Sequence, residues 1–175
     1  MKNLPELDTK ELIESIAKQT STLLAALSSS ETCFVGIHTG GVWLAQRICR
    51  DLGLSEVVGE LNIAFYRDDF RRNEKVLKAS ATEIDFTIEN KIVVLVDDVL
   101  FTGRSIRAAL NAIQSFGRPK EIQLLTLIDR RFSRELPIQP DYCGTQVDSR
   151  LNEKVIVHWE ENDLEDSVYL YNNKK

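Results

Sequence analysis

The sequence predicts an α/β fold: a central, mainly parallel sheet flanked by helices. Three observations carry this expectation. Strand-like and helix-like segments alternate through the middle of the chain. The run KIVVLVD (91–97) is continuously apolar apart from its ends, as suits a central strand covered on both faces. Finally, both CFVGIH (33–38) and KIVVLVD lead through a glycine-bearing turn into a helix.

The first element is a helix. Asp8 and Glu11 are spaced as a capping box, Leu12, Ile16, Leu23 and Leu27 recur behind them at helical intervals, and SSSE closes the segment. CFVGIH then reads as a short buried strand, Thr39-Gly40-Gly41 as a turn, and VWLAQRICRDLG as a helix stopped by Gly53. VVGELNIAFYR (57–67) is rich in β-formers and predicts the next strand. From Asp68 to Asn90 the chain is charged and weakly periodic, so a loop is expected, either a lid over a site or a disordered connection. After KIVVLVD come a helix, SIRAALNAIQSFG, stopped by Gly117, and a second buried strand, EIQLLTLID. ELPIQPDYCG (135–144) reads as turns, EKVIVHW as a strand and SVYLY as a short last one. No internal repeat, low-complexity run or linker interrupts this order, so residues 1–175 are expected to form one domain.

A chain of 175 residues can bury a full core, and 43% hydrophobic with 28% charged residues is an ordinary soluble balance. The start, MKNLPELDTKEL, has no apolar leader, and no apolar run approaches bilayer length, which predicts a cytoplasmic protein with no membrane partner. The three scattered cysteines, Cys33, Cys49 and Cys143, fit reduced thiols. With only His38 and His158 beside them, a zinc site is not available, and a metal is expected on oxygen ligands. A net charge of −5 argues against non-specific nucleic-acid binding. The acids of WEENDLEDS (Glu160, Glu161, Asp163, Glu165, Asp166) and the bases Arg67, Arg71, Arg72, Lys75 and Lys78 read as solvated faces. Trp43 and Trp159 suit a core or an interface equally.

The stretch VDDVLFTGRS (96–105) carries the chemistry. In open parallel sheets, ligands sit at the carboxyl ends of strands, where Asp97, Asp98 and the Thr102-Gly103 turn fall. Gly103 lets the backbone tighten, while Thr102, Arg104 and Ser105 bring N–H groups to the start of the next helix, a setting that holds phosphate. Two adjacent carboxylates cannot serve the same phosphate; they suit sugar hydroxyls or a magnesium ion. A ribose bearing a 5′-phosphate uses both halves. The stretch contains neither G-x-x-x-x-G-K-[ST] nor G-x-G-x-x-G. A purely structural reading, with Thr102 as a helix cap and Asp98 as a turn carboxylate, explains neither the doubled acid nor the glycine.

VVLVDDVLFTGRS resembles the binding motif for phosphoribosyl pyrophosphate (PRPP) of the type I phosphoribosyltransferases. In its longer form, DDVLFTGRSIRAAL, it is similar to the PyrR family of bifunctional pyrimidine operon regulators and uracil phosphoribosyltransferases. GIHTGGVWLAQRI resembles that family's pyrophosphate loop and helix, GELNIAFYRDDF its strand before the flexible loop, LIDRRFSRELPIQPDYCG its hood, and EKVIVHWEENDLEDSVYLY its C-terminal part. The resemblance implies a type I phosphoribosyltransferase fold with a small hood, about 129–150 plus the C-terminal strands, and a flexible lid at about 68–90. It implies transfer from PRPP to uracil, giving UMP and pyrophosphate, with Mg²⁺. Asp97 and Asp98 would hold the ribose hydroxyls and the metal, and the loop Val99, Leu100, Phe101, Thr102, Gly103, Arg104 and Ser105 the nucleotide phosphate. Thr39, Gly40 and Gly41 would form the pyrophosphate loop, with a non-proline cis peptide, and Arg67, flanked by Tyr66 and Asp68, would be a catalytic cation for the leaving group. Asp129, Arg130 and Val155 would line the base site, with a surface ion pair the competing reading for Arg130.

Two departures stand out. The family commonly has T-R-G where this chain has Thr39-Gly40-Gly41, and D-R-G-H-R-E-L where it has DRRFSREL. The first predicts that Gly40→Arg raises turnover without tightening UMP, the alternative being that the bare glycine already brings pyrophosphate into closer backbone contact and added bulk blocks the site. The family also implies pyrimidine-operon mRNA as a partner and a homo-oligomer, dimer or tetramer. Two rival readings are a non-catalytic nucleotide-sensing RNA-binding regulator and a purine-salvage transferase; YRDD and RELPI speak against the latter.

Overall fold

The computed structural model describes residues 2–3, 7–26, 31–54, 57–63, 81–149, 153–161 and 165–172. In chain order the elements are β1 (Lys2–Asn3), α1 (Thr9–Ala26), β2 (Thr32–Ile37), α2 (Gly40–Asp51), β3 (Gly59–Leu61), β4 (Ile92–Leu100), α3 (Arg104–Ile113), β5 (Glu121–Arg131), β6 (Tyr142–Asp148), β7 (Glu153–His158) and β8 (Ser167–Asn172). Five strands form a sheet in the order β3-β2-β4-β5-β6, every neighbouring pair parallel. A smaller antiparallel sheet has the order β1-β8-β7.

The unbroken apolar run of β4 follows from its central place. Val94 and Val96 point into one core, with Leu44 and Ile48 of α2 and Ile13 and Ile16 of α1. Val93 and Leu95 point into the other, with Ile106, Ala109 and Ile113 of α3. Alternate side chains of one strand thus feed two cores, and neither face can be polar. The small sheet closes the first core with Val155, Val157, Val168 and Leu170. At the start of α1, Asp8 Oδ1 accepts the backbone N–H of Lys10 (2.8 Å) and of Glu11 (3.3 Å), so the expected cap forms.

Several expectations are corrected. The strand expected over 57–67 is paired only at Gly59–Leu61, and residues 64–67 lie outside the described residues. Tyr142–Asp148, read in part as turn, is a strand on the edge of the main sheet. An edge strand is paired and covered on one side only, so it tolerates the glycine and polar residues that hid it. Both β4 and β5 run beyond their apolar runs, carrying Asp97, Asp98, Asp129 and Arg130 within strands. Residues 129–131 and 142–148, read with the hood, are therefore strands of the main sheet; the separate antiparallel sheet is β1-β8-β7.

Residues 68–80 of the expected lid lie outside the described residues, but 81–90 are fastened to the body. Glu83 and Glu60 exchange backbone hydrogen bonds of 2.7 and 2.8 Å, and the backbone N–H of Asn62 donates to Thr82 Oγ1 at 3.1 Å. Ile84, Phe86 and Ile88 turn inward at every second residue and join the second core. That alternation was in the sequence, masked by the charges around it.

Leu95 is fully buried between α3 and the sheet. Leu95→Ala is expected to cost about 2–5 kcal/mol in urea unfolding, whereas Phe132→Ala, at a side chain 81% exposed, leaves the midpoint almost unchanged.

Candidate active site

Strands β2 and β4 are adjacent and in parallel register, Cys33 opposite Val93 and Gly36 opposite Val96. Each leaves the sheet at the same edge and turns at once into a helix, β2 through His38-Thr39 into α2 and β4 through Phe101–Gly103 into α3. Two helix N-termini therefore open at the same edge of the sheet, α2 against one face and α3 against the other. Their N-cap residues, Thr39 and Gly103, make no side-chain capping hydrogen bond, and neither helix has an acidic residue in its first turn. Each end carries a partial positive charge and directs backbone N–H groups outward, the standard setting for an anion. Asp97 and Asp98 sit between them on β4. The order along the edge is positive, negative, positive.

Close backbone approach makes this possible. A Cβ on Gly41 would meet the Val96 carbonyl oxygen at 2.3 Å, so the first turn of α2 lies directly on β4 at the acid pair. A Cβ on Gly40 would fall 2.0 Å from Asp98 Oδ2 and 2.9 Å from Trp159 Nε1. The Trp159 indole N–H donates to Asp98 Oδ2 at 3.4 Å, and Asp97 Oδ1 accepts the backbone N–H of Asp98 at 3.0 Å. Burial pushes the Asp98 carboxyl up, against the hydrogen bonds from Trp159 and the backbone N–H of Val99. The His38–Thr39 peptide is cis.

In the loop after β4, Gly103 has φ 91°, the left-handed conformation that glycine adopts freely. Thr102 Oγ1 accepts the Arg104 backbone N–H at 3.3 Å, and the Thr102 carbonyl accepts N–H groups of Glu135 (3.0 Å) and Leu136 (3.3 Å). Arg104 turns its side chain to Glu135, donating from Nε at 2.7 Å. Val99 and Ser105 are half-buried, and Leu100, 1% exposed, anchors the loop in the second core. Phe101 lies under the guanidinium of Arg130, whose carbon is 3.8 Å from the ring centroid.

Near the end of β5, Asp129 is 5% exposed and accepts from Arg134 and, at 3.3 Å, from Gln146 Nε2. Arg134 also donates to the Phe101 carbonyl, so one guanidinium joins the loop after β4 to Asp129. Arg130 is no surface ion pair: it is 3% exposed and donates from Nε to Ser149 Oγ and from Nη2 to the Glu153 carbonyl, both at 2.7 Å. Burial lowers its pKa, partly offset by the Glu153 charge. Val155 is buried in the first core. Tyr66, Arg67 and Asp68, together with the bases Arg71, Arg72, Lys75 and Lys78, lie outside the described residues. Sequence reasoning missed Arg134, which no local pattern marks, and left Trp159 unassigned although it ends a strand beside an acidic turn.

A family model of the phosphoribosyl transferase domain matches residues 6–163. The protein named "Bifunctional protein PyrR" from Nitrosococcus oceani is 40% identical over 158 residues, 87% of this chain and 89% of the relative. Its namesake from Geobacter sulfurreducens is 52% identical over 127 residues, 70% of this chain and 71% of the relative. The chain belongs to the PyrR family of phosphoribosyltransferases. Among solved structures, hypoxanthine phosphoribosyltransferase of Trypanosoma cruzi superimposes with a TM-score of 0.66 at 18% identity, covering 89% of this chain and 85% of that one. Hypoxanthine-guanine phosphoribosyltransferase of Bacillus anthracis gives 0.67 at 18% identity, covering 86% of each. Both share the fold with this PyrR-family chain.

The donor set at the acid pair suits magnesium. Asp97 and Asp98 offer oxygen donors of the kind magnesium takes, and two carboxylates leave room in its shell for water and substrate oxygens.

The geometry reverses the expectation for Gly40. A side chain there meets the end of Asp98 and the packed Trp159 ring, so it disturbs both the site and its support. Gly40→Ala and, more strongly, Gly40→Arg should lower the melting temperature, while calorimetry shows affinity for UMP and for PRPP with magnesium falling at least tenfold. Higher turnover with intact UMP binding would contradict this. A second expectation concerns pH. Because the folded-state pKa of Asp98 is raised, its contribution to stability is full below the unfolded value of about 3.9 and is lost as pH rises through the folded value. Asp98→Asn should therefore be more stable than wild type at pH 7, with the difference closing as pH falls toward about 4, read by denaturant unfolding across pH.

Proposed function

We propose that this protein transfers the phosphoribosyl group of PRPP to uracil, giving UMP and pyrophosphate, and that occupancy of the same site governs its binding to pyrimidine-operon mRNA. The observation that carries the reading is the row formed by a helix end, an acid pair and a second helix end. PRPP has the matching pattern, with a phosphate at one end, ribose hydroxyls in the middle and pyrophosphate at the other.

In this reading the backbone N–H groups of Thr102 to Ser105 bind the 5′-phosphate, and Asp97 and Asp98 accept the ribose hydroxyls. Backbone groups of Thr39, Gly40 and Gly41, with Arg67, hold the pyrophosphate, and uracil lies near Asp129 and Val155, its N–H groups within the range of an acceptor. Magnesium, when bound, offsets the charge of the leaving pyrophosphate, with Asp97 and Asp98 the residues that would hold it. The transition state resembles an oxocarbenium ion at C1 of the ribose. Positive charge develops between two carboxylates while negative charge gathers at the N-terminus of α2, so placement and electrostatics suffice without a covalent nucleophile.

The regulatory half is supported by the name of the relatives, which states two activities. Ligand-dependent RNA binding needs a basic surface, since phosphate contacts dominate RNA affinity, and the bases of 67–78 are the sequence's main concentration of positive charge. We take the working form to be a cytoplasmic homo-oligomer. Its three cysteines form no disulfide, and among the described residues no helix is long and apolar enough to cross a membrane.

Radiolabelled uracil with PRPP and magnesium should yield UMP. Asp97→Asn should reduce its formation and weaken PRPP binding at least tenfold without lowering the melting temperature. Loss of stability with binding intact would make Asp97 structural, and absence of UMP with UMP binding preserved would leave the regulator alone.

A further inference from the structure

Asp98 needs a defined orientation if it is to receive a ribose hydroxyl, yet its neighbour at position 40 has no side chain to support it. What stands there is Trp159, 2% exposed, at the end of β7. Its Nε1 is 3.4 Å from Asp98 Oδ2 and 2.9 Å from the point that a Cβ of residue 40 would occupy. We propose that Trp159 is a positioning residue for the ribose site, its indole N–H fixing the Asp98 carboxylate in the space that glycine at position 40 leaves open. This rests on the reading of Asp98 as a ribose-binding group.

The ring is itself held from behind. The Arg47 guanidinium carbon lies 4.8 Å from its centroid, and Trp43 meets it edge-on at 6.5 Å. Arg47, 6% exposed, is fixed by both carboxylate oxygens of Glu161 (2.8 and 3.0 Å), by both of Asp166 (3.1 Å each) and by Glu160 (3.3 Å). The acidic turn after β7 is thus no merely solvated face. It immobilises a buried cation on α2, and that cation packs on the ring that faces Asp98. A bond of 3.4 Å is long, so the indole contributes mainly direction: it offers Asp98 one favoured orientation before the ligand arrives. Trp159 is 2% exposed and its indole N–H donates to Asp98, so it acts through that carboxylate.

Trp159→Phe keeps the ring and removes the N–H. Calorimetry should show affinity for UMP, and for PRPP with magnesium, weakened about three- to tenfold, the effect of losing one weak orienting hydrogen bond, while the KM for uracil stays within twofold. A structural defect would move all three together. Because the chain has two tryptophans, Trp43→Phe leaves Trp159 as the sole emitter with its own contacts to Asp98 intact. In that protein, titration with UMP should shift the Trp159 emission with the midpoint found by calorimetry. Unchanged UMP affinity in Trp159→Phe, or silent Trp159 emission at saturating UMP, overturns the proposal. A wild-type protein that binds neither UMP nor PRPP overturns instead the ribose-site reading beneath it.

Discussion

The molecule depends on how closely the first turn of α2 lies against β4. With the Val96 carbonyl where a Cβ of Gly41 would go, the helix start cannot stand further off without opening the sheet edge. That contact brings the positive end of α2 beside two carboxylates and parallel to the positive end of α3. Each helix end is worth about half a unit charge, so together they offset roughly half of the acid pair. The edge remains negative in the middle and positive on both sides, which fixes the direction in which a sugar phosphate can lie.

Charge is managed differently deeper in the fold. Arg47 and Arg130 are both buried, and each has oxygen partners around its guanidinium and an aromatic ring under its face. The partners act in opposite proportion. Burial tends to lower the Arg47 pKa, but the hydrogen bond with Glu161 and the charges of Asp166, Glu161 and Glu160 outweigh it and the value rises. At Arg130 burial prevails. A guanidinium survives such desolvation because its planar fork can satisfy several acceptors while its face stacks on an apolar ring. In this chain Arg130 ties the start of β7 to β5 of the main sheet, and Arg47 ties the turn between β7 and β8 to α2.

Much of this was legible beforehand. Val93 to Val96 read as a strand covered on both faces, and the structure places them so; the doubled acid before Thr102-Gly103 pointed to a ligand site at the strand's carboxyl end. Asp8 announced its helix. The parts that escaped notice share a cause: local pattern is weak where stability comes from one-sided pairing or from distant contacts. Tyr142–Asp148 is half-covered and polar, so its strand became visible only beside β5. Ile84, Phe86 and Ile88 alternate correctly but stand among Glu83, Asp85 and Glu89, and charge density outweighed period. Trp159 ends a strand beside an acidic turn, but nothing local ties it to Asp98, 61 residues away.

Arg134 has a consequence of another kind. By donating at once to the Phe101 carbonyl and to Asp129, it joins the loop after β4 to the end of β5. On the proposed reading, where ribose phosphate binds at the one and the base at the other, two ligands that meet through such a shared group cannot be energetically independent. Whatever free energy a bound ribose phosphate contributes to ordering the guanidinium is a cost the base no longer bears, and the reverse holds to the same amount. The order in which the two arrive is then a matter of rates alone, because the affinity of the pair is the same along either path.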